Sequence, residues 1–283
     1  MDLFEYRNKF EKFLKENFLN IPVDTKLKEA CCYSLTNGGK RVRPILVMAL
    51  ADAIAKDFDV SFSALAVEFF HTASLIADDL PCMDNEERRR NKITLHKIYG
   101  EDIALLTSYT LISHGYEMVL KNANFLKNKN LISEKVRDNL FFLAIEEISK
   151  ASGIFGATNG QFLDLYPPDN SLDTIFKIIE QKTALLFNVS FVLGWLFGGG
   201  GIEKLEIVKK AAYHLGIAFQ IADDIKDMKK DEKKNKLNIA VSLGKKKAKE
   251  IFNEELEKFK IELKKLNISI DKIFNLFKNF ISF

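Results

Sequence analysis

Apolar residues recur at helical spacing over most of this 283-residue chain, and few stretches alternate as a strand would. The pattern predicts an all-α protein. An amphipathic helix is expected over residues 2–18, ending near Pro22, and Asp24 is placed to cap a second that runs to Thr36 and stops at Asn37-Gly38-Gly39. A third helix is expected from Pro44 to Lys56, and a fourth from Ser61 to the paired aspartates at Asp78. Further helices are expected near 101–122, 133–152, 158–165, 171–197, 203–228 and 242–265, with a last one from 270. The lysine-rich segments 229–236 and 245–249 read as solvated surface.

Composition narrows the architecture. With 47% hydrophobic residues and 24 phenylalanines, the chain can fill a large core as one domain spanning 1–283. Only 14 glycines and 5 prolines occur, and no Ser/Gly/Pro-rich stretch marks a linker. The segment Thr183 to Ile202 carries no charge, but Asn188 and Ser190 interrupt it and Gly198 to Gly201 cannot continue a stable helix. About 15 apolar helical residues remain, the length of a buried core helix and too short for a bilayer span. A net charge of +3 is too mild to imply nucleic acid as the main partner. Cys31, Cys32 and Cys82 have no metal-ligand spacing, and their odd number fits a reducing, cytoplasmic compartment. The opening MDLFEYRNKFEKF lacks the basic-then-apolar order of a signal peptide.

Two aspartate clusters break the apolar pattern, DDLPCMD at Asp78 to Asp84 and DDIKD at Asp223 to Asp227. Carboxylates this close repel one another, and an apolar context tolerates them only with compensating cations. Such oxygen-rich clusters suit magnesium, which keeps several waters and commonly binds a phosphate at the same time. Gln220, Asp223, Asp224 and Asp227 stand at i, i+3, i+4 and i+7, on one helix face. Asp78 and Asp84 would diverge by about 120° on an unbroken helix. Pro81 breaks it, so Asp84 can turn back toward Asp78. His71 lies seven residues before Asp78, on nearly the same face, where it could hydrogen-bond a phosphate. In GGKRVRP, Lys40, Arg41 and Arg43 enter a helix from a glycine-loosened loop that can cradle a phosphate, and Arg88, Arg89 and Arg90 follow the first acidic cluster.

Taken together, GGKRVRP, HTASLIADDLPCMD with its trailing arginines, GQFLDL at Gly160 to Leu165, Lys182-Thr183 and FQIADDIKD resemble the trans-prenyl diphosphate synthases, the farnesyl and geranylgeranyl diphosphate synthase family, in order and spacing over residues 35–230. The resemblance implies a single-domain bundle of ten or more helices around a deep central cavity, in a homodimer, with the aspartate motifs on facing walls. It implies a magnesium-dependent prenyltransferase that adds isopentenyl diphosphate to dimethylallyl, geranyl or farnesyl diphosphate. Ionisation of the allylic carbon–oxygen bond, condensation and proton loss would follow in turn.

The resemblance also implies roles. Asp78, Asp79, Asp84, Asp223, Asp224 and Asp227 would hold about three magnesium ions. Arg89, Lys182 and Gln220 would contact the allylic diphosphate. Lys40, Arg43, His71 and Arg90 would bind isopentenyl diphosphate, and Thr183 and Gln161 would line the reaction centre. Many bacterial farnesyl synthases carry a large aromatic five positions before the first aspartate. Here Ala73 and Ser74 would admit a longer tail and Phe70 would form the next floor, which favours geranylgeranyl diphosphate over farnesyl diphosphate.

The chain departs from the family at Asn85, Glu86, Glu87 and Asn91, and after Asp227, where KKDEKKNKLNIAVSLG stands in place of a longer lysine-bearing loop. Lys236 is the candidate replacement. Lys226 is expected either to add a cation or to point to solvent. The competing readings are a class I terpene cyclase, which needs no second diphosphate site, and a non-catalytic partner subunit of a synthase.

Overall fold

A computed structural model describes residues 1–234, 236–268, 270–278 and 280. The helices are α1 (Leu3–Leu14), α2 (Lys26–Leu35), α3 (Val42–Ile54), α4 (Ser61–Asp78), α5 (Leu95–Tyr99), α6 (Glu101–Asn128) and α7 (Glu134–Ser152). They continue with α8 (Ala157–Leu165), α9 (Leu172–Ile178), α10 (Leu185–Phe197), α11 (Leu205–Lys233), α12 (Ile239–Leu243), α13 (Lys245–Lys265) and α14 (Ile270–Lys278). Among the described residues the strands are β1 (Arg88–Arg89) and β2 (Lys92–Ile93), an antiparallel hairpin. The fold is all-α, as the apolar periodicity predicts.

Local chemistry sets the boundaries. Asp2 and Glu5 form a reciprocal capping box at the start of α1. The cap of α2 is Thr25, one residue past the expected Asp24, with its hydroxyl accepting from Lys28 N at 3.2 Å. α3 begins at Val42, so Pro44 falls in the first turn, where its missing N–H leaves no bond unmade. The helix expected over 171–197 is interrupted by a π-helical turn at Ile179–Ala184. Periodicity does not reveal α5, α12 or the hairpin, which are too short to show a period.

α10 is apolar all round and fully buried from Phe187 to Phe197, so it forms the centre of the bundle, packed on α3, α4, α7 and α11. A methyl group built on Gly194 would lie 2.7 Å from the Val47 carbonyl oxygen, so α3 and α10 touch backbone to backbone. Burial explains the uncharged run after Thr183. Among the described residues no helix is long and apolar enough to cross a membrane. With α10 filling the centre, α4 and α11 reach the same cavity from different sides, and each carries one of the aspartate clusters.

Candidate active site

A cavity of about 810 Å³ opens between the end of α4, the middle of α11, the loop before α3 and the π-helical turn. Its wall is acidic near Asp78, Asp84, Asp223, Asp224 and Asp227, and basic near Lys40, Arg43, Arg89, Arg90 and Lys182. Leu75, Ile178, Ile179, Leu186 and Phe219 add an apolar part to its lining.

On the first wall, α4 stops at Asp78 because Pro81 cannot continue it. The chain then turns back so that Asp84 N donates to the Asp78 carbonyl at 2.9 Å, and both carboxylates reach the cavity. Asp79 does not line it. It is buried behind the wall, where Arg89 holds it through Nε at 2.8 and 2.9 Å and through Nη2 at 2.7 Å. Burial is the main force pushing the Asp78 carboxyl up to about 6; Lys182 and Arg89 oppose it, while Asp84 and Asp79 add to it.

The second wall keeps helical register. Gln220, Asp223, Asp224 and Asp227 all line the cavity from α11. Asp224 is buried and accepts from Gln220 Nε2 at 2.8 Å and from Ile239 N, at the start of α12, at 3.0 Å. Burial pushes it up to about 6 despite those bonds, and burial also raises Asp223. Lys226 is exposed, with its ammonium 3.9 Å from Asp223.

The basic flank rests on three unusual backbone positions. Arg90 and Asn91 have φ of 51° and 65° and form the tight turn between β1 and β2, and asparagine tolerates this left-handed geometry well. The turn lays the Arg90 guanidinium against Gly38 and Gly39, where Nη1 donates to the Gly38 carbonyl at 2.5 Å and a side chain at position 39 would collide with it. Arg41, at φ 52°, turns inward to pair with Glu11 at 2.8 Å and with Glu68, anchoring the loop to α1 and α4.

Arg43 Nη1 lies 3.4 Å from His71 Nε2, with the guanidinium over the Phe187 ring at 4.7 Å. Burial lowers Arg43 to about 10, still cationic at neutral pH. Burial, and then Arg43 and Arg90, hold His71 well below its ordinary value and therefore neutral. Arg43 Nε and His71 Nδ1 are buried without a partner among the described residues, the condition of groups set to meet a ligand. Lys40 Nζ donates to the Phe280 carbonyl at 2.9 Å.

Lys182 and Thr183 sit on the π-helical turn, which α8 approaches so closely that a methyl group on Gly160 would overlap Lys182 N. Lys182 pairs with Asp164 of α8 at 2.5 Å. Burial works against its charge, but Asp164 and Asp78 outweigh burial and raise its pKa. Thr183 Oγ1 donates to Gln220 Oε1 at 2.7 Å, which continues through Gln220 to Asp224.

Besides Asp79, expected among the metal ligands and found behind the wall on Arg89, three expectations change. Gln161 is not on the cavity wall, and both its amide atoms are buried without a partner among the described residues; its helix reaches the cavity through Asp164. The segment 229–236 is not simply solvated. α11 runs on to Lys233, Lys230 and Lys236 line the cavity mouth, Lys236 lies 3.1 Å from Asp84, and Lys234 lies 2.6 Å from Glu86. Of the proposed floor residues, only Ser74 lines the open cavity. Ala73 is buried with its carbonyl bonded by Ser108 of α6, and Phe70 packs against Gly115 and Tyr116 in the seam between α4 and α6.

The donor set fits a divalent metal ion. Among the described residues no three His, Cys, Asp or Glu side chains form a ready cage, but carboxylates on both walls share the cavity with cationic groups. That suits an ion whose shell is completed by phosphate oxygens and water.

The sequence profile of the polyprenyl synthetase family matches residues 24–257. The chain belongs to that family. It is 39% identical over 214 residues to a heterodimeric geranylgeranyl pyrophosphate synthase large subunit, chloroplastic, of Arabidopsis thaliana, covering 74% of this chain and 56% of that protein. It is 38% identical over 208 residues to a chloroplastic geranylgeranyl pyrophosphate synthase of Capsicum annuum, covering 72% and 54%. The chain thus spans little more than half the length of these curated relatives. Among solved structures, a geranyltranstransferase of Thermotoga maritima superposes with a TM-score of 0.80 at 30% identity, over 98% of this chain and 97% of that one. A geranyltransferase of Legionella pneumophila gives a TM-score of 0.83 at 27% identity, over 98% and 94%.

The sequence assigns Asp164 no role, its one signal being its place in GQFLDL, on the face shared with Gly160, and it marks Glu86 only as a departure from the family's pattern. Neither shows its lysine partner, which is far away in sequence.

Proposed function

We propose that this chain is a magnesium-dependent prenyltransferase that condenses isopentenyl diphosphate with an allylic diphosphate, with geranylgeranyl diphosphate as the product. The observation that carries the reading is a single cavity with two carboxylate walls, two sets of cations and an apolar interior. When bound, about three magnesium ions held by Asp78, Asp84, Asp223 and Asp227 would neutralise the allylic diphosphate and make it a better leaving group.

Arg89 and Lys182 supply fixed positive charge on that diphosphate, with Asp164 holding Lys182 in place. Lys40, Arg43, neutral His71 and Arg90 bind the second diphosphate; Arg43 Nε and His71 Nδ1 offer it otherwise unpartnered ring and guanidinium atoms. Gln220 and Thr183 orient each other beside the carbon–oxygen bond that ionises. Leu186 and Phe219 belong to a water-excluding wall around the allylic cation, which the double bond of isopentenyl diphosphate attacks. The departing diphosphate takes the proton that is then lost. Lys236 and Lys234 tie the far end of α11 to Asp84 and Glu86 over the mouth, the part that the longer loop plays in the family.

The small Ala73 and Ser74 favour a twenty-carbon product. A fifteen-carbon product is the second reading, favoured by the similarity to bacterial geranyltransferases. A homodimer is supported by a solvent-facing apolar stripe on α6, Leu105, Tyr109 and Ile112, and by the exposed Phe142 on α7. The three free cysteines support a reducing, cytoplasmic compartment.

The test is incubation with magnesium, isopentenyl diphosphate and each of dimethylallyl, geranyl and farnesyl diphosphate, with products identified by mass. Chain-extended diphosphates that require isopentenyl diphosphate are expected. Turnover of the allylic diphosphate alone would point to a cyclase, and no turnover to a non-catalytic subunit.

A further inference from the structure

The seam between α4 and α6 is pinned at two levels. Ser63 donates through N and Oγ to Asn122 Oδ1 at 2.8 and 2.9 Å, and Ser108 Oγ donates to the Ala73 carbonyl at 3.0 Å. Gly115 lies midway, seven residues from each of the α6 anchors. Opposite it is Phe70, eight residues before Asp78 and about 12 Å down the helix axis. A methyl group built on Gly115 would lie 2.6 Å from Phe70 Cε1 and 2.7 Å from Cζ. The ring therefore rests on bare backbone, steadied edge-on by Tyr116 at 5.2 Å between centroids.

We propose that Gly115 is a specificity-determining residue, the berth that holds the Phe70 ring out of the path of a growing prenyl tail. This rests on the chain-elongating reading above. On α4, Phe70 is one turn beyond Ser74, the last of the floor residues to line the open cavity, and it flanks His71, which also lines it. The anchors on both sides of Gly115 keep the helices from parting, so a side chain there moves the ring and not the backbone. Tyr116 packs edge-on against the ring on one side, and the displaced ring moves away from α6, toward the path of the tail. The free space at Gly115 thus sets how far a tail extends past Ser74.

Gly115→Ala is expected to shift the product toward a shorter chain. It is also expected to weaken binding of an unreactive thio-diphosphate analogue with a twenty-carbon tail by about tenfold, as read by calorimetry, leaving the ten-carbon analogue unaffected. Adding Phe70→Ala to Gly115→Ala removes the displaced ring and is expected to restore both. Should Gly115→Ala not fold, Phe70→Trp, too large for the same berth, is expected to act in the same direction. Unchanged product length together with unchanged twenty-carbon binding in a folded variant overturns the inference. The analogue series reads the berth even where no condensation occurs, so failure of the chain-elongating reading is seen separately, as a wild type that binds the tails but makes no product.

Discussion

The acidic cluster on α4 stands where a helix ends, and the one on α11 stands where a helix continues. Proline breaks the first, so its carboxylates are aimed by a turn, whereas the register of an unbroken helix aims the second. The two walls nevertheless divide their labour alike. One buried aspartate on each is held by the protein, Asp79 by Arg89 and Asp224 by Gln220 and Ile239 N. Asp78, Asp84, Asp223 and Asp227 line the cavity without such anchors, apart from the Lys236 ammonium beside Asp84 and the more distant Lys226 beside Asp223, whereas Asp224 lines it while held. A run of aspartates is therefore not a set of equivalent ligands, since part of it holds the wall that aims the rest.

The largest effect should fall on the cavity-facing members. Asp78→Asn and Asp223→Asn are each expected to reduce kcat by on the order of 10²–10³, with little change in Tm. Asp79→Asn leaves the Arg89 guanidinium without its bidentate partner, and is expected to cost about 1–3 kcal/mol of stability in chemical denaturation with a smaller loss of turnover. Equal kinetic and stability losses for Asp78→Asn and Asp79→Asn would break the division.

Asp164→Asn probes a cation shared between the walls, because Lys182 answers to both Asp164 and Asp78. Released from its charged partner, Lys182 is expected to hold the allylic diphosphate about tenfold less well, read as a rise in KM or in the Kd of an unreactive analogue. Ala73→Tyr is expected to shorten the product by one or more five-carbon units, measured by chromatography of the dephosphorylated alcohols. An unchanged product would show that the α4–α6 seam is not the tail's route. The smallest effect belongs to the pairs across the mouth. Lys234 and Lys236 are partly exposed, so Glu86→Gln or Lys236→Ala is expected to change turnover by about threefold or less, with the difference fading at high salt.

Much of this is legible in the sequence. The helical stripe from Gln220 to Asp227 follows from spacing alone, and Pro81 announces the turn that brings Asp84 back to Asp78. The uncharged run after Thr183 reads correctly as a core helix because its composition leaves no polar face. What escaped was short or non-local. α5, α12 and the β1–β2 hairpin are stabilised by what they pack against, and Gln161 shares a helix with Asp164 without any local sign of which one reaches the cavity. The lysines of 229–236 look like ordinary surface until their partners on the α4 side are seen.

The sequence by itself determined the helical class, the buried central helix and the residue types gathered at the cavity, because periodicity, burial and charge act over a few neighbouring residues. The tertiary structure alone decided which aspartates face the cavity, which lysine Asp164 holds and where the Phe70 ring rests. Those outcomes depend on a ring meeting bare backbone at Gly115 and on backbones meeting at Gly160 and Gly194, between segments separated in the chain, and steric contact between such segments leaves no periodic trace in a sequence.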